Sequence, residues 1–92
     1  MTDGKVFQIK PHFILDGEVD EGAILIDGHS GTMVSCNDSA AFLLNRLRKG
    51  AAAAQMAQWL AEVYDVSATA AARDVARFLD RLGAMGVIDE RA

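Results

Sequence analysis

The chain has 92 residues, 51% of them apolar, which suffices for one small domain with a modest core spanning residues 1–92. Thirteen acidic residues against nine Lys and Arg give a net charge of −4, which weighs against nucleic acid or an anionic membrane as the default partner. The single cysteine excludes an internal disulfide, "MTDGKVFQIK" has no signal-like apolar stretch, and no apolar run approaches the ~20 residues of a membrane span, so the expected location is the cytoplasm.

In chain order, "KVFQIK" (5–10) reads as a short strand built on Val6, Phe7 and Ile9 and ended by Pro11. "DGEVDEG" (16–22), acidic and with two glycines, reads as a solvated loop. "AILI" (23–26) and "TMVSC" (32–36) are partly β-branched runs on either side of "DGHSG", the composition of a hairpin with a glycine-assisted turn. The same turn sets Ser30 beside His29, which raises the question of a nucleophilic serine. A nucleophile elbow needs G-x-S-x-G and an immediate helix. Here the second glycine comes one place early and a strand pattern follows, and His29 adjoins Ser30 too closely to reach its hydroxyl in line. The hairpin reading prevails.

After residue 36 the apolar period lengthens to that of a helix. Ala40, Leu43, Leu44 and Leu47 share one face of "NDSAAFLLNRLRKG" (37–50), with Asn37, Asp38 or Ser39 as N-cap and Gly50 as stop. "AAAAQMAQWLAEVYDV" (51–66) places Met56, Trp59, Leu60, Val63 and Tyr64 at helical spacing, an apolar stripe that reads as core, and starts on a helix-forming alanine run. A third helix starts near Ser67, presents Ala71, Val75, Phe78, Leu79, Leu82 and Met85 to the core, and ends at Gly86. On its other side Arg73, Arg77 and Arg81 form a basic stripe, flanked by Asp74 and Asp80, that reads either as a solvated, salt-paired face or as a ligand contact. "GVID" (86–89) suits a short closing strand.

The inventory of chemistry is sparse. His12, His29 and Cys36 lie scattered with no metal-ligand spacing, no glycine-rich phosphate motif is present, and no carboxylates pair in a catalytic frame. These patterns imply no catalytic residue, metal or cofactor, and hence no enzyme.

The order of strand, hairpin and three helices, with "HSGTMVSCNDSAAFLL", "MAQWLAEVYDV" and "DVARFLDRLGAMGVI" in sequence, resembles the PqqD-like family, the stand-alone RiPP recognition element of peptide natural-product pathways. The resemblance covers about residues 22–90; Cys36 in place of the common leucine and Ser39 in place of threonine are mild departures. It implies an α+β, winged-helix-like fold, a three-stranded antiparallel sheet followed by three helices. It further implies that the leader segment of a precursor peptide adds as a strand to the sheet edge and sets its apolar side chains against the third helix. Transferred by position, the edge is Thr32, Met33, Val34, Ser35 and Cys36, and the groove wall is the segment carrying Arg73, Asp74, Arg77, Phe78 and Arg81.

Alternation makes either Met33 and Ser35 or Thr32, Val34 and Cys36 the core-facing set. Phe78, about 60° from Val75 toward the arginines, has access to both core and groove. Arginines beside such a groove favour an acidic leader. The implied partners are the leader peptide and a peptide-modifying enzyme, such as a radical SAM enzyme or a leader peptidase, which the domain serves by raising the local concentration of the peptide. Two alternatives stand beside this reading: a small winged-helix DNA-binding regulator with the arginine helix in the major groove, and a docking module whose sheet edge pairs with a second copy as a homodimer.

Overall fold

The computed structural model describes residues 5–18 and 22–91. In order these form β1 (Val6–Ile9), β2 (Phe13–Glu18), β3 (Gly22–Asp27), β4 (Met33–Cys36), α1 (Asp38–Leu47), α2 (Ala53–Tyr64), α3 (Ala68–Met85) and β5 (Ile88–Arg91). The class is α+β, with a three-stranded antiparallel sheet, β2-β3-β4, followed by three helices, and a second sheet made of β1 and β5. "Winged helix" describes it only loosely.

Membership of the main sheet departs from the sequence expectation. "KVFQIK" is a strand but pairs with β5 in the other sheet, Ile9 opposite Ile88, and also bridges Phe7 to Ala51. Its place is taken by β2, whose Phe13 and Leu15 pack on the core while Ile14 and Asp16 face outward. The acidic composition of "DGEVDEG" concealed it: Asp16 to Glu18 end β2 and Gly22 begins β3, while residues 19–21 of the expected loop lie outside the described residues. The closing strand runs two residues beyond "GVID", and Val87 just before it is fully buried.

The helices begin where their caps dictate. Asn37 Oδ1 accepts from the Ala40 N–H at 2.9 Å and Ser67 Oγ from the Ala70 N–H at 3.1 Å, each satisfying a donor of the first turn. α2 starts at Ala53, because Ala51 is held in the bridge to Phe7; Gln55 Oε1 accepts from the Ala52 N–H at 3.0 Å. Gly86, at φ 74°, closes α3 while the Val87 N–H reaches back to the Leu82 carbonyl.

The core gathers Leu25 from the sheet, Leu43, Leu44 and Leu47 from α1, Met56 and Leu60 from α2, and Ala71, Val75, Leu79 and Leu82 from α3. Two residues read as core are not: Val63 is 56% and Met85 44% exposed. Met85 stands about 75° from the centre of the buried stripe at ~100° per residue, and Val63 lies in the last turn of α2, where its neighbour Tyr64 makes the contact with the core instead. Arg46 covers the rim between α1 and α2, its guanidinium 5.1 Å from both the Phe42 and Trp59 ring centroids. No helix among the described residues is long and apolar enough to cross a membrane.

Candidate functional site

Among the described residues β4 has β3 on one side and an open edge on the other. The Asp27 N–H donates to the Thr32 carbonyl at 2.9 Å, which sets the phase of the ladder. In an antiparallel pair the bonded and non-bonded positions alternate. Val34 and Cys36, opposite Leu25 and Ala23, therefore spend their main-chain groups on β3. Met33 and Ser35, opposite Ile26 and Ile24, turn their N–H and C=O groups to the open edge. The Gly28 N–H to His12 carbonyl bond, 2.8 Å, gives the same phase from the β2 side, since it assigns Ile26 and Ile24 to β2. This resolves the alternation left open in the sequence. Val34 and Cys36 share the core face with the buried Leu25 and Ala23, and Met33 and Ser35 share the outer face with Ile26 and Ile24.

Where β4 ends, a cleft of about 430 Å³ begins, lined by Asn37, Ser39 and Ala40 at the start of α1, by the far end of α2, and by α3. Leu43, Leu60, Val66 and Phe78 supply its apolar surface, and Arg77, Arg81 and Asp74 its charges. Phe78 is half-buried, packing on the core while lining the cleft. Arg73 is exposed and is not among the lining residues. Residues four apart on a helix advance about 40° around the axis, so the basic stripe winds toward the cleft and only its last two members reach it. None of the three arginines has a carboxylate in ion-pair contact among the described residues, so the salt-paired reading of the stripe finds no support.

The cleft walls Leu43, Leu60 and Tyr64 read as plain core in the sequence. A signal was present: "Y-D-V" places Tyr64 and Val66 either side of Asp65, whose left-handed backbone, φ 53°, ends α2 at the cleft mouth. Cys36, at the end of the edge strand, is half-buried; its Sγ contacts the Val34 carbonyl at 3.7 Å, and burial pushes its thiol pKa up.

The turn between β3 and β4 is held by its own side chains. Asp27 Oδ1 accepts from the His29 N–H at 2.9 Å and more distantly from Ser30, and these bonds hold its carboxyl below the usual range. Ser30 Oγ bonds Thr32 Oγ1 and accepts from the Thr32 N–H, a structural use of the serine. His12, Asp27 and His29, scattered in sequence, are gathered at this end of the sheet.

Comparison with known proteins places this architecture. The family model described as "Coenzyme PQQ synthesis protein D (PqqD)" matches residues 22–88. A solved structure titled "Lasso peptide synthetase B1 complexed with the leader peptide" is 35% identical, with 90% of this chain and 96% of that one aligned at a TM-score of 0.76. A second, "TbiB1 in Complex with the TbiA(beta) Leader Peptide", is similar in fold at a TM-score of 0.79, covering 89% of this chain and 94% of that one at 17% identity. No curated protein matches the sequence.

Proposed function

The chain belongs to the PqqD family, and from that premise we propose that it binds the leader segment of a ribosomally made precursor peptide and presents it to a partner enzyme. The observation that carries this reading is the continuity of two surfaces. The outward main-chain groups of Met33 and Ser35 lead along β4 to a cleft that combines apolar walls with Arg77 and Arg81. An extended peptide added to β4 gains main-chain hydrogen bonds along the edge and seats alternate side chains in the cleft. Thr32, Met33, Val34, Ser35 and Cys36 supply the track, and Asp74, Arg77, Phe78 and Arg81 the wall. Arg73, farther round α3, acts on the peptide through long-range attraction.

The two arginines against one aspartate select a leader with Asp or Glu beside its apolar anchors. The domain performs no chemistry of its own in this reading. It raises the concentration of the peptide at the enzyme, a modifying enzyme of the radical SAM type or a leader peptidase, in the cytoplasm.

The test is a fluorescence-polarisation titration with a labelled leader peptide from the precursor gene nearest to the one encoding this chain, with a random DNA duplex as control. Saturable micromolar or tighter binding to the leader alone is expected. Binding to DNA alone would move the arginine stripe to a recognition helix, and binding to neither would favour pairing of the β4 edges of two copies.

A further inference from the structure

The end of the main sheet opposite the cleft holds the densest set of ligating side chains among the described residues. His12 precedes β2, Asp27 ends β3, and His29 sits in the turn that follows. One donor atom from each lies within 4.8 Å of the other two. His12 Nε2 is 3.8 Å from Asp27 Oδ1, and the two imidazoles stack with centroids 3.8 Å apart and planes 3° from parallel.

The backbone holds this group together independently of the side chains. The Gly28 N–H donates to the His12 carbonyl at 2.8 Å, and a Cβ at Gly28 would stand 2.7 Å from that oxygen. Only glycine allows the segment carrying His12 and the turn carrying His29 to approach so closely. The hydrogen bonds that Asp27 accepts hold its carboxylate in place, and its two oxygens offer lone pairs beyond those already used.

We propose that His12, Asp27 and His29 form a binding site for one borderline divalent transition-metal ion, of which zinc is the type. Two imidazole nitrogens and a carboxylate oxygen form a donor set that suits zinc, nickel or copper and disfavours magnesium and calcium, which take oxygen ligands. Metal–ligand bonds of about 2.0–2.2 Å put tetrahedral donors roughly 3.3 Å apart, so the cluster must contract slightly. The parallel stack is not the ligated arrangement, because one ion cannot lie in the planes of both rings. His29 is exposed on the turn, and its ring is free to swing until both lone pairs converge. Three protein donors leave the remaining position to water. The ion would fasten the start of β2 to the β3–β4 turn, so binding is read as stabilisation. The site is independent of the peptide-binding surface, and its test makes no use of a peptide.

The experiment is zinc titration of the full chain by calorimetry, with thermal unfolding and the visible spectrum of the cobalt-substituted protein in parallel. One zinc per chain is expected, together with a rise in Tm and the intense absorption of four-coordinate cobalt. His29→Ala, which changes an exposed turn residue and leaves the fold intact, should abolish all three signals. His12→Ala and Asp27→Asn should each weaken binding at least tenfold. Magnesium should produce no effect. Absence of saturable binding at millimolar zinc, or zinc binding by His29→Ala equal to the parent's, would overturn the proposal.

Discussion

Strand addition to β4 makes a position-specific demand that two proline substitutions separate. Ser35 is exposed and its N–H points to the open edge, so Ser35→Pro removes no bond between β3 and β4. Proline is tolerated on edge strands where the missing N–H faced outward. An incoming peptide, however, loses that donor, worth about 0.5–1.5 kcal/mol net. It also meets the pyrrolidine ring, which displaces the neighbouring strand and strains the bond to the Ser35 carbonyl. The combined loss of about 1–3 kcal/mol corresponds to roughly 5- to 150-fold weaker binding. Val34→Pro, one residue earlier, has the opposite effect: its N–H faces Leu25, so the fold loses a ladder bond and Tm falls. Polarisation titration with the labelled leader reports affinity, and circular dichroism melting reports the fold. If Ser35→Pro keeps the parent's Tm and binds the leader within about twofold of the parent, strand addition at β4 is refuted, since the geometry leaves no other donor at that position.

Charge reversal at Arg77 should weaken leader binding about tenfold at low salt and erase much of its salt dependence, as expected for a cleft cation in partial contact with solvent; a variant as tight as the parent would show that the cleft does not read acidic residues. Leu44→Ala, at a site only 1% exposed, should cost about 2–5 kcal/mol, measured by urea unfolding. Asp27 has a lowered carboxyl pKa, so the turn it organises is intact above the ordinary carboxylate range and loosens as pH falls through the depressed value. Amide NMR of His29 and Ser30 should follow that titration, and Asp27→Asn should abolish it. Cys36, with its raised thiol pKa, should react slowly with a thiol reagent at neutral pH, and more slowly still once leader peptide covers β4.

The helices were legible in the sequence because their signals are local. Asn37 and Ser67 cap, Gly86 stops, and the apolar spacing between them marks the buried faces. The sheet was less so. β2 combines an acidic tail with two half-buried side chains, and its identity as a strand depends on pairing with β3, which no local pattern encodes. The site residues on β4 and α3 were placed by resemblance, and the structure adds which of them adjoin: Arg77 and Arg81 reach the cleft and Arg73 does not, a consequence of helical drift that a list of positions omits. The grouping of His12 with His29 was invisible for a further reason. It depends on a backbone approach at Gly28 between segments 16 residues apart, and glycine beside a turn reads as ordinary turn chemistry.

The pairing of β1 with β5 has a consequence for how this chain acquires its structure in time. The two strands lie about eighty residues apart, so closing that contact costs on the order of 2–3 kcal/mol more chain entropy than closing the short β3–β4 turn. During synthesis β1 lacks its β5 partner until residues 88–91 have emerged, and its earliest docking is the reciprocal bond of Phe7 with Ala51. The clasp thus closes late. As a two-stranded pairing apart from the main sheet, it should release its amides to solvent through openings of the clasp alone, before those of the buried helices α1 and α3 exchange.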